Sequence, residues 1–216
     1  MDVSIIGAGN VGKALATSFH RAGHTVVIAS RDPEDAGSLA AATGAKIATS
    51  NADAAARGQV VILAVPFASV PEIAAEIVEA VAGKTVIDAT NRMSFGASGP
   101  EIDTSTSNAE ELAALLPGAH IVKAFNTLFA SHQADPIAEG LQLDAYVAGD
   151  DEAAKATVLE LVESIGLSPV DVGPLARARQ LEGLAFLNIT INIANNGSWQ
   201  SGWKLVGAPA TVKAAA

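Results

Sequence analysis

The sequence contains no cysteine, one tyrosine and two tryptophans, and it sets only 13 lysines and arginines against 23 aspartates and glutamates. Without cysteine there is no disulfide, no thiolate nucleophile and no thiolate-based metal site, a composition that fits a reducing compartment. The scarcity of aromatics leaves no platform on which single-stranded bases could stack. A formal net charge of −10 denies a phosphate backbone the basic surface it needs, so nucleic acid is not an expected partner. The longest apolar run, residues 60–68, is too short to span a bilayer and is interrupted by Pro66. The chain also starts directly on a strand-like run, leaving no room for a leader, so we expect a cytoplasmic protein without a membrane partner. The terminal Ala214-Ala215-Ala216 reads as a frayed end.

What is present is concentrated at the N-terminus. Asp2-Val3-Ser4-Ile5-Ile6 reads as a buried strand and leads into the turn Gly7-Ala8-Gly9-Asn10-Val11-Gly12, which opens a helix to Arg21. Gly23 stops that helix, and residues 25–29 form a second strand. In this context the three glycines meet three needs of dinucleotide binding. Gly7 permits the tight turn, Gly9 lets backbone approach a pyrophosphate, and Gly12 lets the helix pack close to the strand. The helix N-terminus aims free N–H groups and a positive dipole end at the phosphates. An NAD-binding chain places an acid about 20 residues past the turn, on the ribose 2′-hydroxyl. Here Ser30 and Arg31 stand at the strand end instead. A hydroxyl and a guanidinium suit a phosphate dianion, so the expected cofactor is NADP(H). Asp32 reads as the N-cap of the next helix, with Pro33 at its first position.

Half of the residues are hydrophobic, mostly Ala, Val, Ile and Leu, as expected of a parallel sheet covered on both faces. Strand-like runs at 2–6, 25–29, 45–48, 59–66, 85–89, 119–125 and 144–148 alternate with helical runs at 10–21, 33–43, 51–57, 71–81 and 108–116. This order predicts an α/β fold, a doubly wound parallel sheet of the Rossmann type. Residues 91–107 are a long polar segment rich in glycine and serine, and Asn108-Ala109-Glu110-Glu111 reads as a capping box. After Gly149 the chain continues with a helix to Ser164, a short strand at 168–172 and a long helix over 177–195. The spacing of Leu181, Leu184, Leu187, Ile191 and Ala194 predicts the buried face of that last helix. The expected division is a nucleotide-binding domain over 1–149 and a small helix-rich C-terminal part over 150–216 that adds cleft and dimer contacts.

Ligands in such sheets bind at the carboxyl ends of the strands. Those ends carry Val65-Pro66, Thr90-Asn91 and Asn126-Thr127-Leu128 besides the glycine turn. Pro66 either packs against the ribose of a nicotinamide nucleotide or simply closes its strand. Asn126 and Thr127 can position a ring by offering amide and hydroxyl groups, and strand-end asparagines are also common turn formers. No serine–histidine–acid set, carboxylate pair or metal-ligand spacing occurs there, so no catalytic acid or base and no metal site is expected. His132 lies in the loop after Asn126-Thr127, and Lys123 stands unexplained inside an apolar strand. Asn188, Asn192 and Asn195 form a stripe that either lines a cleft or is a wet helix face, and Trp199 and Trp203 follow it.

The ordered set Gly7–Lys13, Ser30-Arg31, Val65-Pro66, Ala124-Phe125-Asn126-Thr127, Ala148-Gly149-Asp150-Asp151 and Asp171-Val172-Gly173-Pro174-Leu175 resembles the coenzyme F420-dependent NADP oxidoreductase family over nearly the whole chain. Its nucleotide-binding module also resembles the cytosolic domain of six-transmembrane ferric reductases. The resemblance implies that Gly9, Asn10, Val11, Ser30 and Arg31 bind NADP(H). It further implies that Thr90, Asn126, Thr127 and Leu128, with Leu184 of the last helix, contact the deazaflavin, and that the protein is a homodimer. Archaeal members carry His where Asn126 stands and Pro where Phe129 stands, which aligns this chain with a bacterial-type branch. Hydride transfer between two stacked rings needs positioning and water exclusion more than acid–base groups. The residues alone also admit an NADPH-dependent reductase of a free flavin such as FMN, or of a small imine or carbonyl. A noncatalytic NADP(H)-sensing protein is a further alternative.

Overall fold

Successive residues of the strands reach opposite faces of one sheet, and this alternation builds two separate cores. A computed structural model describes residues 1–97 and 99–207; the three terminal alanines lie outside the described residues. The chain begins β1 (Asp2–Ile6), α1 (Asn10–Arg21), β2 (Thr25–Ala29), α2 (Pro33–Thr43), β3 (Lys46–Ile47), α3 (Asn51–Arg57) and β4 (Val60–Leu63). It continues α4 (Val70–Ile77), β5 (Thr85–Asp88), β6 (Met93–Gly96), β7 (Gly99–Ile102), α5 (Asn108–Leu115) and β8 (His120–Lys123). Then follow α6 (Ala130–Ala134), β9 (Ile137–Ala138), β10 (Leu141–Gln142), β11 (Asp144–Gly149), α7 (Glu152–Ser164), β12 (Ser168–Gly173) and α8 (Ala178–Ala194).

The main sheet has eight strands in the order β12-β11-β8-β5-β4-β1-β2-β3. On one face Val3, Ile5, Ile28, Ile62 and Val122 pack with Leu15 and Phe19 of α1 and Val158 and Leu161 of α7. On the other, Ile6, Val27, Val61, Leu63 and Val86 pack with Ala54 of α3, Ile73 and Ile77 of α4 and Leu112 of α5. Leu15 and Phe19 are wholly buried, each contributing about 1.5–3 kcal/mol to fixing α1 under the glycine turn.

Every pairing from β3 through β8 is parallel, as expected, but β11 runs antiparallel to β8, with Ala148 opposite Lys123. The chain turns back after β8 through α6 and a short β9–β10 hairpin, without the helical crossover that a parallel neighbour needs. β12 then pairs parallel with β11, so the residues after Gly149 extend the same sheet. The polar segment after β5 contains a second hairpin, β6–β7. The capping residue of α5 is Ser107, one position earlier than the sequence pattern indicated, because Asn108 turns its amide inward to Thr90 Oγ1 at 2.5 Å.

The last helix departs from its hydrophobic period. Its buried residues are Ala178, Leu181, Glu182, Ala185, Asn188 and Asn192, whereas Leu187 and Ile191 are about half exposed. The two asparagines can be buried because residues 199–201 return along the helix and take up their amides. Asn188 Nδ2 donates to the Ser201 carbonyl at 3.3 Å, and Asn192 Nδ2 donates to Ser201 Oγ at 2.9 Å.

Candidate active site

The glycine turn sits where the pattern placed it, between two hollows at the carboxyl ends of the strands. Gly7 has φ +111°, and a Cβ there would lie 2.3 Å from the Ala64 carbonyl oxygen. A Cβ on Gly12 would lie 1.9 Å from the Gly7 carbonyl oxygen, so α1 can approach β1 only with glycine at this position. Gly9 differs: a Cβ there meets no atom within 4 Å, which leaves open space beside the backbone. No side chain caps α1 and no acid stands in its first turn. Its first N–H groups therefore face that space as an anion-binding end, where a pyrophosphate fits.

The smaller hollow, about 280 Å³, is lined by Gly7, Gly9, Ser30, Arg31, Val65 and Pro66 among others. Arg31 is the one cation on this wall among the described residues, and it is exposed. Asp32 turns its carboxylate onto the start of α2, where Oδ1 accepts the Glu34 N–H at 2.9 Å. Its own N–H donates to Ser30 Oγ at 3.1 Å. The Asp32 carboxylate is thereby held as a helix cap and that of Asp35 pairs with Lys13 at 2.6 Å; Glu72 and Glu76 also line this hollow, and the Ser30 hydroxyl and Arg31 guanidinium stand beside it.

The larger cavity, about 530 Å³, opens on the other side of the turn. Asn10 and Val11 of α1 form one wall, and Asn126, Thr127 and Leu128 beyond β8 form the floor. Met93 and Phe95 of the β6–β7 hairpin, Phe129, Ala185 and Asn188 of α8, and Trp199 close it. Phe129 and Trp199 meet edge to face at 5.2 Å. Among the described residues, no side chain on this wall is an acid, an amine, a guanidine, an imidazole or a phenol. Phe125, wholly buried, holds a left-handed φ of 66°, a costly conformation for a bulky residue, and this turns Asn126 toward the cavity.

Two residues expected at the ring lie elsewhere. Thr90 is buried off the wall, its Oγ1 donating to Asp88 Oδ1 at 2.7 Å and its carbonyl accepting from Lys123 Nζ at 2.6 Å. Leu184 packs with Val170, Val172 and Trp203 against Tyr146, Ala148 and Leu181, while Ala185, Asn188 and Ile189 of the same helix line the cavity. His132 is held within the structure: its ring nitrogens lie 3.0 and 2.6 Å from the Asp135 and Gln200 carbonyl oxygens. Residues that the sequence reading passed over include Met93, Phe95, Gln133 and Ile189. The glycine-bracketed run after Phe95 was the available signal for the hairpin.

Lys123 now has an explanation. Its ammonium group lies 2.8 Å from Asp88 Oδ2 and 2.7 Å from Glu182 Oε1, and all three side chains are buried. The two Glu182 oxygens also accept the N–H groups of Arg92 at 3.1 Å and Asn108 at 2.9 Å. Arg179 adds a bidentate pair to Glu110 at 2.8 and 2.7 Å, which holds the Glu110 carboxyl below the usual carboxylate range. Together these pairs fasten α8, the roof of the larger cavity, to β5, β8 and α5. Among the described residues no cluster could hold a metal ion, and no helix is long and apolar enough to cross a membrane.

The family described as NADP oxidoreductase, coenzyme F420-dependent, matches residues 2–92. With this Rossmann sheet and its uncapped first helix, the match defines an NADP-dependent oxidoreductase. The F420-dependent NADP reductase of Methanothermobacter thermautotrophicus is 35% identical over 212 residues, covering 90% of this chain and 90% of the reductase. The chain belongs to the F420-dependent NADP reductase family. An Arthrobacter sp. FB24 structure provisionally named as a member superposes with a TM-score of 0.85 at 30% identity, over 95% of this chain and 99% of that one. The metalloreductase STEAP3 of Rattus norvegicus is 32% identical over 84% of this chain, which spans only 36% of that protein's length.

Proposed function

We propose that the protein transfers a hydride between NADP(H) and the deazaflavin coenzyme F420. The observation that carries this reading is the wall of the larger cavity, which combines apolar surface with amides and hydroxyls and, among the described residues, holds no acid–base side chain. Reduction of a carbonyl would require a proton donor beside the developing alkoxide, and among the described residues this wall offers no carboxyl, imidazole, amine or phenol for that role. A wall of this kind suits two stacked rings, where bound NADP(H) and deazaflavin supply the hydride chemistry between them.

The chain's own residues then have positioning roles. Gly7, Gly9 and Gly12, with the N–H groups of Asn10 and Val11, hold the pyrophosphate, and Ser30 and Arg31 hold the 2′-phosphate. Val65 and Pro66 flank the ribose. Asn126, Thr127 and Leu128 orient the rings from below, while Phe95, Phe129 and Trp199 exclude water. Thr90 and Leu184 act one step away, through the Asp88–Lys123 cluster and the packing of α8. Residues 1–149 carry the nucleotide, and the later part supplies the roof.

The half-exposed Leu187, Ile191 and Ile193 on α8 support a homodimer through that helix, in a cytoplasmic protein. None of the relatives described above is named for FMN. The deciding experiment follows NADPH absorbance with purified protein and F420, FMN or no acceptor. We expect oxidation with the deazaflavin only; turnover with FMN and none with F420 overturns the reading.

A further inference from the structure

We infer that Gln133 and Asn126 form a paired acceptor in the larger cavity that reads N–H donors on its ligand, of the kind a carboxamide or a cyclic imide presents. Both side chains line the cavity, and they are only 1% and 6% exposed. Their amide nitrogens are already engaged. Gln133 Nε2 donates to the Phe125 and Leu128 carbonyls at 3.0 and 3.3 Å, and Asn126 Nδ2 donates to the Leu181 carbonyl at 3.1 Å and Asn91 Oδ1 at 2.9 Å. Because a backbone carbonyl can only accept, these partners fix which end of each amide is nitrogen and which is oxygen. Gln133 Oε1 and Asn126 Oδ1 are left buried without a partner, and both belong to residues on this one wall. Buried polar atoms are normally satisfied, so two orphan acceptors on one ligand cavity point to a donor that arrives with the ligand.

The backbone supports the same conclusion. Phe125 is held in its left-handed conformation with Gln133 gripping its carbonyl, and the next residue is Asn126. Strain of this kind persists only where the surroundings over-determine it, and here the Phe125 carbonyl links the two cavity-lining residues. A ligand that fills the cavity without bringing N–H groups leaves both acceptors bare, and this makes the pair discriminating.

Two sources of such donors exist, the nicotinamide carboxamide and the ring imide of the acceptor; only the second rests on the proposed F420 reading. The test measures Kd calorimetrically on the wild-type protein with two ligand pairs. One is NADP⁺ against its 3-acetylpyridine analogue, in which a methyl group replaces the amine. The other is the deazaflavin against its N3-methylated form. We expect the donor-less member of at least one pair to bind about tenfold or more weakly. A loss confined to the first pair assigns the acceptors to the carboxamide, and one confined to the second assigns them to the imide. A folded Gln133→Met variant, checked by thermal unfolding, should discriminate less within that pair, since only the Asn126 acceptor remains. Equal affinities within both pairs on the wild type overturn the inference, as does undiminished discrimination in folded Gln133→Met. Should the parent deazaflavin fail to bind at all, the proposed function fails, and the NADP⁺ pair alone decides this inference.

Discussion

Replacing Lys123 by Met removes the one cation, among the described residues, from a buried cluster that contains two carboxylates. The wild-type ammonium group sits within 2.8 Å of Asp88, Glu182 and the Thr90 carbonyl, and the side chains of Lys123, Asp88 and Glu182 are at most 1% exposed. Met fills much the same volume, so the change is chiefly electrostatic. Asp88 keeps its bonds from Thr90 and Asn108, and Glu182 keeps those from Arg92 and Asn108, but neither carboxylate retains a countercharge. Breaking a buried pair from one side costs about 3–5 kcal/mol. In a chain of this size each kcal/mol lowers Tm by roughly 2–4 °C, so calorimetry should show a fall of roughly 6–20 °C. Adding Glu182→Gln removes one stranded charge and should restore more than half of that loss. Because Glu182 lies on α8, which carries Ala185, Asn188 and Ile189 to the cavity, the surviving enzyme should show a raised KM for the acceptor. A Lys123→Met protein with Tm within about 2 °C of wild type would refute the reasoning.

Arg31→Ala should weaken NADPH binding by about 10- to 100-fold while leaving NADH unchanged, since one charge-assisted bond is worth about 1.5–3 kcal/mol; equal losses for the two nucleotides would count against a 2′-phosphate contact. Gly9→Ala should fold with an unchanged Tm yet lose nucleotide affinity, because its Cβ enters open space and its φ of −71° suits any residue. Gly12→Ala should instead lower Tm by several degrees, at about 1–3 kcal/mol, because α1 must move off the Gly7 carbonyl; thermal melts and NADPH titrations separate the two. The sole tyrosine, Tyr146, has its pKa raised to about 12 by burial, the charge of Asp144 and a hydrogen bond to it. Its neutral form is favoured in the fold, so its stabilising contribution is intact below about pH 10 and lost as pH rises toward 12. Phenolate absorbance should titrate near 12 in native protein and near 10 in urea; a native midpoint near 10 would contradict this.

What the sequence discloses and what it hides divide by distance along the chain. The glycine turn, the Asp32 cap and the strands of the nucleotide-binding half are set by neighbours within a turn or two, where spacing alone carries the physics. Lys123 looked anomalous because its partners lie 35 and 59 residues away, and only strand order brings Asp88 beside it. Gln133 gave no signal for the same reason. Its nitrogen grips a carbonyl eight residues back, and its importance comes from an oxygen left over.

The last helix misled because two causes of an apolar stripe share one period. Leu181 and Leu184 are covered by the chain itself, but Leu187 and Ile191 follow them in the same pattern and remain half exposed. The face that turns inward carries Ala185, Asn188 and Asn192 instead: Ala185 and Asn188 line the cavity, and the two asparagines hold residues 199–201. Hydrophobic periodicity identifies a surface that avoids water without saying which molecule covers it. On α8 the polar stripe faces the larger cavity, and the apolar stripe beyond Leu184 stays half exposed. The width of the cavity is thereby tied to a buried charge, because any shift of α8 away from the sheet must break the Lys123–Glu182 pair.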